Sequence, residues 1–213
     1  MTAKNRKKTA SIWRSYLAML MAGIAVSASS CQLGERERES AANPANSRPV
    51  EHRWAERMDL PGLPNLHKVS DSLYRGAQPT AEGMKQLEKF GIKTIVNLRF
   101  LTSDRKMLKS TKLEYEHINT TTFTTETKNV VRFLKIATDT NRTPVFVHCH
   151  RGAERTGVMC AAYRIIVEGW SKEEAIEEMT QGGFTTHNIK ENLLDYIRKM
   201  DIEKIQHGAG LRK

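Results

Sequence analysis

The apolar and polar positions of the chain switch several times between strand-like and helix-like spacing from residue 68 onward. Short apolar or β-branched runs predict four strands: SLYRGA (72–77), KTIVNL (93–98), LEYEHI (113–118) and PVFVH (144–148). Helical spacing of apolar residues predicts one helix between Thr80 and Gly91 and another around Phe133. Because strands and helices alternate, the sequence predicts an α/β fold with helices flanking a mostly parallel central sheet.

The last third of the domain is predicted to be helical. Residues 156–169 are apolar nearly all round, with Arg164 as the only charge before Glu168, which is typical of a helix buried in the core. SKEE (171–174) matches a capping box and predicts the start of the next helix. A final helix is predicted over about 188–205.

The first thirty residues have the organisation of an export signal. They contain five basic residues and no acidic residue, and an apolar run of about a dozen residues (17–28) follows the basic start. This run is shorter than the roughly 20 residues that span a bilayer, so it predicts a signal peptide and not a permanent anchor helix. ASSC (28–31) resembles a bacterial lipoprotein processing box, in which Cys31 is lipidated and becomes the first residue. The alternative is cleavage after Ala28, which leaves Cys31 as a free thiol.

The chain is therefore predicted to have four segments. Residues 1–30 are the signal peptide, 31–67 a flexible tether, 68–206 the folded domain and 207–213 a short tail. The tether prediction rests on alternating charges with Ala, Asn, Ser and Pro and few apolar residues. A lipid on Cys31 makes the protein an exported, membrane-anchored lipoprotein that faces the periplasm or the cell exterior.

Half of the formal net charge of +10 belongs to the predicted export signal. Five of the positive charges lie in residues 1–30, so the rest of the chain carries +5. The folded part shows no interleaving of aromatic and basic residues, and a nucleic-acid partner is not expected. With 39% hydrophobic residues and three Cys, the composition excludes a polytopic membrane protein, a disulfide scaffold and a wholly disordered chain. The sequence does not indicate an oligomeric state.

The segment VHCHRGAERTG (147–157) joins the last predicted strand to the buried helix. A loop that enters a helix N-terminus points successive N–H groups inward and forms an anion cradle. Arg155 provides a planar fork that matches two phosphoryl oxygens, and its charge with the loop dipoles lowers the pKa of the Cys149 thiol. The Thr156 hydroxyl can hydrogen-bond the sulfur and make it a better leaving group. The pattern predicts a thiolate nucleophile that attacks phosphate esters.

The same segment matches every fixed position of the signature H-C-x-x-G-x-x-R-[S/T]-G, and the chain resembles the cysteine-dependent protein-tyrosine and dual-specificity phosphatases. The flanks LYRGAQPTAEGMKQLEKFGIKTIVNLR and CAAYRIIVEGWSKEEAIEEM are similar to the bacterial branch and to the atypical dual-specificity phosphatases of plants and fungi. The resemblance covers about residues 68–205. It implies the fold of that family and hydrolysis of phosphomonoesters through a phosphocysteine intermediate, with neither a metal nor another cofactor.

The resemblance also assigns residues and a substrate class. It implies catalytic roles for Cys149, Arg155 and Thr156. It implies substrate binding by the loop residues His150, Arg151, Gly152, Ala153 and Arg155. The expected partner is a phosphorylated protein or a small anionic phosphoester. His148 is interpreted as a structural hydrogen-bonding residue behind the loop, and Cys160 as a core residue.

The general acid is where the sequence departs from the family pattern. Members usually supply an Asp roughly thirty residues before the Cys, but the interval EYEHINTTTFTTETKN contains none. Asp104 lies too far upstream, and Asp139 lies inside a predicted helix. Glu126 lies close to the acid of related atypical phosphatases, and Glu154 matches an acid position of myotubularin-like lipid phosphatases. Glu116, a water molecule or no acid at all are the remaining alternatives.

Two other interpretations stay open at this stage. A pseudophosphatase that binds phosphorylated or polyanionic ligands without turnover is compatible with the missing Asp. The positive residues His150 and Arg151 also fit an inositol phosphate or phosphoinositide as the substrate. Arg75, within the first predicted strand, and Arg99, just after the second, are interpreted as surface charges, although either could approach the site.

Overall fold

A six-stranded sheet forms the centre of the computed structural model, which describes residues 53–121 and 125–212. The strands are β1 (Glu56–Arg57), β2 (His67–Lys68), β3 (Leu73–Gly76), β4 (Thr94–Asn97), β5 (Glu114–His117) and β6 (Val145–His148). Their order is β1-β2-β3-β6-β4-β5. The last four strands in this order are mutually parallel, and β1 and β2 add an antiparallel edge. The predicted mostly parallel α/β fold is confirmed, with all four predicted strands in place.

The position of β6 determines where the site lies. All four of its residues are buried, and it pairs with β3 on one side and β4 on the other. Its last residue, His148, stands opposite Gly76 and Asn97. Since parallel strands end at the same edge of a sheet, the loops that follow these three strands meet there. Cys149, the first residue beyond β6, lies at this edge.

Seven helices within the described residues cover the two faces of the sheet. They are α1 (Ala81–Lys89), α2 (Arg105–Leu108), α3 (Thr127–Ala137), α4 (Glu154–Ile166), α5 (Lys172–Gln181), α6 (Glu191–Arg198) and α7 (Ile202–Ala209). Val145 and Val147 of β6 belong to a large apolar cluster with α3 to α7, whereas Phe146 belongs to a smaller cluster with α1 and α2. The alternation along one strand therefore fills both cores, as expected for a sheet covered on both sides.

Helix α4 is the buried helix that the sequence predicts, and it begins at the site. Every residue from Thr156 to Ile166 is buried, including Arg164. The Arg164 guanidinium pairs with the Glu178 and Glu168 carboxylates at 2.6 Å each, which satisfies the buried charge. The capping box predicted for α5 is also present, with Ser171 and Glu174 bonded reciprocally.

The folded domain begins before residue 68, so the predicted end of the tether at residue 67 is wrong. Strand β1 and the buried side chains of Leu63 and Leu66 lie within the segment assigned to the tether. The Ala55 N–H donates to the Glu178 carboxylate at 2.7 Å. Composition misleads here because a few well-placed apolar residues are enough to anchor a charged segment to an existing core. The predicted signal peptide, Cys31 and the tether residues 31–52 lie outside the described residues.

The predicted helix over 188–205 is divided into α6 and α7. Asp201 interrupts it in an extended conformation and accepts a hydrogen bond from the Lys204 N–H, which caps α7. Helix α7 then continues to Ala209, beyond the predicted end of the domain at residue 206. Across the described ranges, no helix has both the length and the hydropathy that a membrane span requires.

Candidate active site

Hydrogen bonds hold the backbone carbonyls of the loop between β6 and α4. A donor from a distant segment or from the flanking strand reaches each carbonyl of residues 149–152. The pairs are His148 Nδ1 with Cys149 O (3.1 Å), Gln78 N–H with His150 O (3.2 Å), Asn65 Nδ2 with Arg151 O (2.9 Å) and Arg75 Nη2 with Gly152 O (2.8 Å). With the carbonyls engaged by these donors, the N–H groups of the loop are left to face the thiol and an anion.

Gly152 lets the loop take this conformation. Its φ of +72° lies in the left-handed region, which L side chains rarely adopt. A Cβ at this position would lie 2.4 Å from the backbone carbon of Gly76. In this conformation the loop packs closely against β3, and the Gly152 N–H donates a hydrogen bond to the Cys149 Sγ at 3.3 Å.

The Cys149 thiol is buried and surrounded by groups that stabilise its negative charge. Burial alone would raise its pKa, but the hydroxyl and N–H of Thr156, the charge of Arg155 and the Gly152 N–H together outweigh burial. The net result is a pKa below the ordinary value of a cysteine. By contrast, burial raises the pKa of Cys160, in the core of α4, to about 11. The two described thiols therefore differ sharply in reactivity.

Arg155 lies beside the thiol in the first turn of α4 and keeps part of its hydrogen-bonding capacity. One guanidinium nitrogen donates to the Leu98 carbonyl at 3.4 Å, which orients the side chain from the end of β4. Its buried Nε has no hydrogen-bond partner among the described residues. An unpaired buried donor costs free energy, and a phosphoryl oxygen would satisfy it.

A cavity of about 510 Å³ opens over the loop. Its walls are Cys149, His150, Arg151, Ala153, Glu154 and Arg155 from the loop and α4, and Thr185, His187, Asn188, Ile189 and Lys190 from the segment before α6. Four of these side chains other than Arg155 are basic residue types, and only Glu154 is acidic. The cavity therefore suits an anionic ligand with one carboxyl group beside it.

The three carboxylates proposed as the acid occupy different places. Glu154 lines the cavity. Glu126 precedes α3, is not among the residues that line the cavity, and pairs with the Lys128 ammonium at 2.7 Å. Burial would raise the pKa of Glu116, but hydrogen bonds from Arg142 and Arg132 outweigh it and lower the pKa. Glu116 is thereby held ionised and is unsuited to donate a proton.

Arg75 is not the surface charge that the sequence suggests. Its side chain is 1% exposed, and its guanidinium lies 3.5 Å from the centre of the Phe184 ring while bonding the Gly152 carbonyl. Asn65 has a related role, because its Nδ2 donates to both Arg151 O and Phe184 O at 2.9 Å. These two residues fix the loop against the segment that forms the opposite wall of the cavity. Asn65 lies in the segment predicted to be a tether, and the leucines on either side of it, Leu63 and Leu66, are the sequence signal that places it in the domain.

Arg99 is only partly exposed, and its side chain lies against the fully buried Asp104. The Arg99 guanidinium hydrogen-bonds the Gln78 side chain and lies 3.7 Å from the Asp104 carboxylate. Asp104 is fully buried and bonds His148. It lies far upstream of Cys149 in the sequence, but the fold brings it close to the catalytic loop. His148 is a hydrogen-bonding residue behind the loop, as predicted.

A buried thiol of lowered pKa, in an amide-lined loop between a central strand and a helix that carries an arginine, defines a cysteine-dependent phosphatase. The chain belongs to this family: residues 41–195 match the model of a family described as DSP-PTPase phosphatase fused to NAD+ kinase. The protein is a phosphatase of the protein-tyrosine and dual-specificity type, as the signature predicts.

Particular relatives sharpen this classification. The chain is 32% identical to the dual specificity protein phosphatase TpbA of Pseudomonas aeruginosa, over 72% of this chain and 69% of that protein. It is 24% identical to the inositol diphosphatase DSP3 of Arabidopsis thaliana, over 70% of this chain and 81% of that protein. The crystal structure of TpbA matches with a TM-score of 0.66 and covers 74% of this chain and 96% of that chain.

Proposed function

We propose that the protein hydrolyses phosphomonoesters in two in-line steps. In the first, the Cys149 thiolate forms an S–P bond while the ester P–O bond breaks, and a carboxyl group gives its proton to the leaving oxygen. In the second, water attacks phosphorus, the P–S bond breaks, and the electron pair returns to sulfur. The carboxylate takes the proton from the water, so the enzyme is restored and inorganic phosphate is released.

The observation that carries this proposal is the hydrogen bond from the Gly152 N–H to the Cys149 sulfur, together with a hydrogen-bond donor on every carbonyl from 149 to 152. The loop amides would bind the equatorial oxygens of the transferring phosphoryl group. The Arg155 Nε, which lacks a partner within the described residues, would bind one of the same oxygens. The Thr156 hydroxyl would stabilise the departing thiolate in the second step.

Glu154 is the proposed general acid. It is the carboxylate that lines the cavity together with Cys149 and Arg155, whereas Glu126 pairs with Lys128 and Glu116 is held ionised by two arginines. A proton donor must come within hydrogen-bonding distance of the leaving oxygen, and of these three carboxylates the one on the cavity wall is placed to approach it.

Phosphorylated protein is the proposed substrate class. A variant of TpbA has been crystallised in complex with phosphotyrosine, and that structure matches this chain at 30% identity with a TM-score of 0.66. A second candidate is a small polyanionic phosphoester such as an inositol phosphate or phosphoinositide. The basic side chains His150, Arg151, His187 and Lys190 around the cavity favour it, since each can contact a phosphate beyond the one being transferred.

A substrate panel separates these functions. Full-length protein is expected to release phosphate from an aryl phosphate and from a phosphotyrosine peptide without added metal. If a polyanion is the preferred substrate, kcat/KM for an inositol polyphosphate will exceed that for the peptide and will fall steeply with ionic strength. Tight binding of all three compounds without phosphate release would instead show a pseudophosphatase.

We also propose that the protein is exported and carries a lipid on Cys31. The basic start, the short apolar run and the small residues before Cys31 support this proposal. In cells fed labelled palmitate, label is expected in the wild-type protein and not in Cys31→Ala. Export without label in both proteins would show cleavage after Ala28 instead.

A further inference from the structure

Arg75 is a buried arginine without an acidic partner. Its side chain is 1% exposed, and among the described residues no carboxylate lies within ion-pairing distance of its guanidinium. The groups around the guanidinium are the Gly152 and Ala153 carbonyls and the Phe184 ring, and its Nε has no hydrogen-bond partner in the same part of the chain. A buried charge without an opposite charge beside it costs free energy. Such a cost is typical of a functional site and not of a purely structural contact.

Arg164 shows how the same chain holds a buried arginine away from the cavity. It is 3% exposed, and its guanidinium lies 4.2 Å from the centre of the Trp170 ring, so its burial and its aromatic contact resemble those of Arg75. The Glu178 and Glu168 carboxylates, however, pair with Arg164 at 2.6 Å each. The two buried arginines therefore differ in how their charge is balanced, and the arginine without carboxylates is the one that bonds the catalytic loop.

The two carbonyls that Arg75 bonds fix the direction of two backbone amides. The Arg75 Nη2 donates to Gly152 O at 2.8 Å and to Ala153 O at 3.4 Å. In a planar trans peptide the C=O and the following N–H point in opposite directions, so the N–H groups of Ala153 and Glu154 point away from Arg75. Ala153 and Glu154 line the cavity, whereas Arg75 does not. Because these amides lie at the N-terminus of α4, they have no intrahelical acceptor and are available to an anion.

We infer that Arg75 is a positioning residue of the phosphate-binding loop and that the bound phosphoryl group balances its buried charge. This inference rests on the part of the proposed function in which the loop binds phosphate. By holding the two carbonyls, the guanidinium directs the Ala153 and Glu154 amides at the phosphoryl oxygens and polarises them. Because no carboxylate among the described residues neutralises Arg75, its charge also attracts a dianion on the far side of these peptides. Anion binding therefore removes an electrostatic cost that the unliganded protein carries.

Arg75→Met tests this inference, because methionine is a long side chain without charge or donors. The dissociation constant of inorganic phosphate, measured through the protection of Cys149 from alkylation by iodoacetamide, is expected to rise at least about tenfold. The melting temperature without phosphate is expected to stay near or above the wild-type value, since an unbalanced buried charge is removed. Arg75→Lys keeps the charge but loses the planar fork, so its phosphate affinity should lie between those of the other two proteins.

Arg164→Met is the matched control. It leaves two carboxylates without their cation, so its melting temperature should fall while its phosphate affinity stays at the wild-type value.

Neither measurement requires turnover, so a protein that binds phosphate but hydrolyses no ester would contradict the proposed function and still show this contrast. A folded Arg75→Met protein that binds phosphate as tightly as the wild type would overturn the inference. A loss of thermal stability in Arg75→Met as large as that in Arg164→Met would also overturn it, because the arginine would then be structural. If Arg75→Met does not fold, Arg75→Lys decides, and unchanged phosphate affinity in that variant would overturn the inference.

Discussion

Cys149→Ser is expected to abolish turnover and to leave phosphate-ester binding within a few-fold of the wild-type value. A serine hydroxyl is a far weaker nucleophile near neutral pH because it stays protonated, and the loop offers no base to activate it. Loss of an essential nucleophile costs at least about 10⁴-fold in kcat. Binding survives because the amides and Arg155, not the sulfur, hold the phosphoryl oxygens. Phosphate release from a phosphotyrosine peptide and calorimetric titration with the same peptide measure the two quantities.

Cys160→Ala provides the matched control for this experiment. Cys160 is buried in the core of α4, and its raised pKa of about 11 keeps it protonated near neutral pH. The variant should keep the wild-type kcat, with some loss of thermal stability from the small cavity. Turnover by Cys149→Ser at more than a hundredth of the wild-type rate would contradict the mechanism.

Glu154→Gln is expected to slow the reaction more for substrates with a more basic leaving group, because such a group must be protonated as it departs. With a phosphoserine peptide, whose alkoxide is a poor leaving group, kcat should fall by about 10²- to 10³-fold. With p-nitrophenyl phosphate, whose leaving group departs readily as the anion, the fall should be under about tenfold. The basic limb of the pH profile should flatten, because that limb reports the loss of the acid's proton.

Glu126→Gln separates the two candidate acids. Its carboxylate pairs with Lys128 and is absent from the cavity wall, so its profile should coincide with that of the wild type for both substrates. A flattened basic limb in Glu126→Gln, together with an intact one in Glu154→Gln, would transfer the role to Glu126. If the basic limb of the pH profile is unchanged in both variants, neither carboxylate is the general acid.

The parts of the site that the sequence predicts are those encoded within one short segment. Cys149, Gly152, Arg155 and Thr156 lie within a single loop and the first turn of a helix, so their mutual geometry follows from local backbone structure. The supporting residues come from far along the chain. Asn65 lies 86 residues from the carbonyl that it bonds, and Asp104 lies 44 residues from His148. No periodicity or motif connects such pairs, because the fold alone brings them together.

The element boundaries show a similar division. The four predicted strands and the buried helix are found because each has a local pattern of apolar residues that packs against one or both of the cores. The break at Asp201 was missed because the apolar spacing continues through it, while a single capping hydrogen bond decides the local backbone. The start of the domain was missed because two buried leucines count for little in a segment rich in charges.

The first described residues of the chain attach to α4 at a distance from the catalytic arginine. Arg164 donates to the Arg53 carbonyl at 3.2 Å, nine residues along α4 from Arg155. At about 1.5 Å per residue, this point lies roughly 14 Å from the catalytic arginine. Nine residues correspond to about two and a half turns of helix, so the first described residues join the folded domain well along α4 from the turn that carries the catalytic arginine.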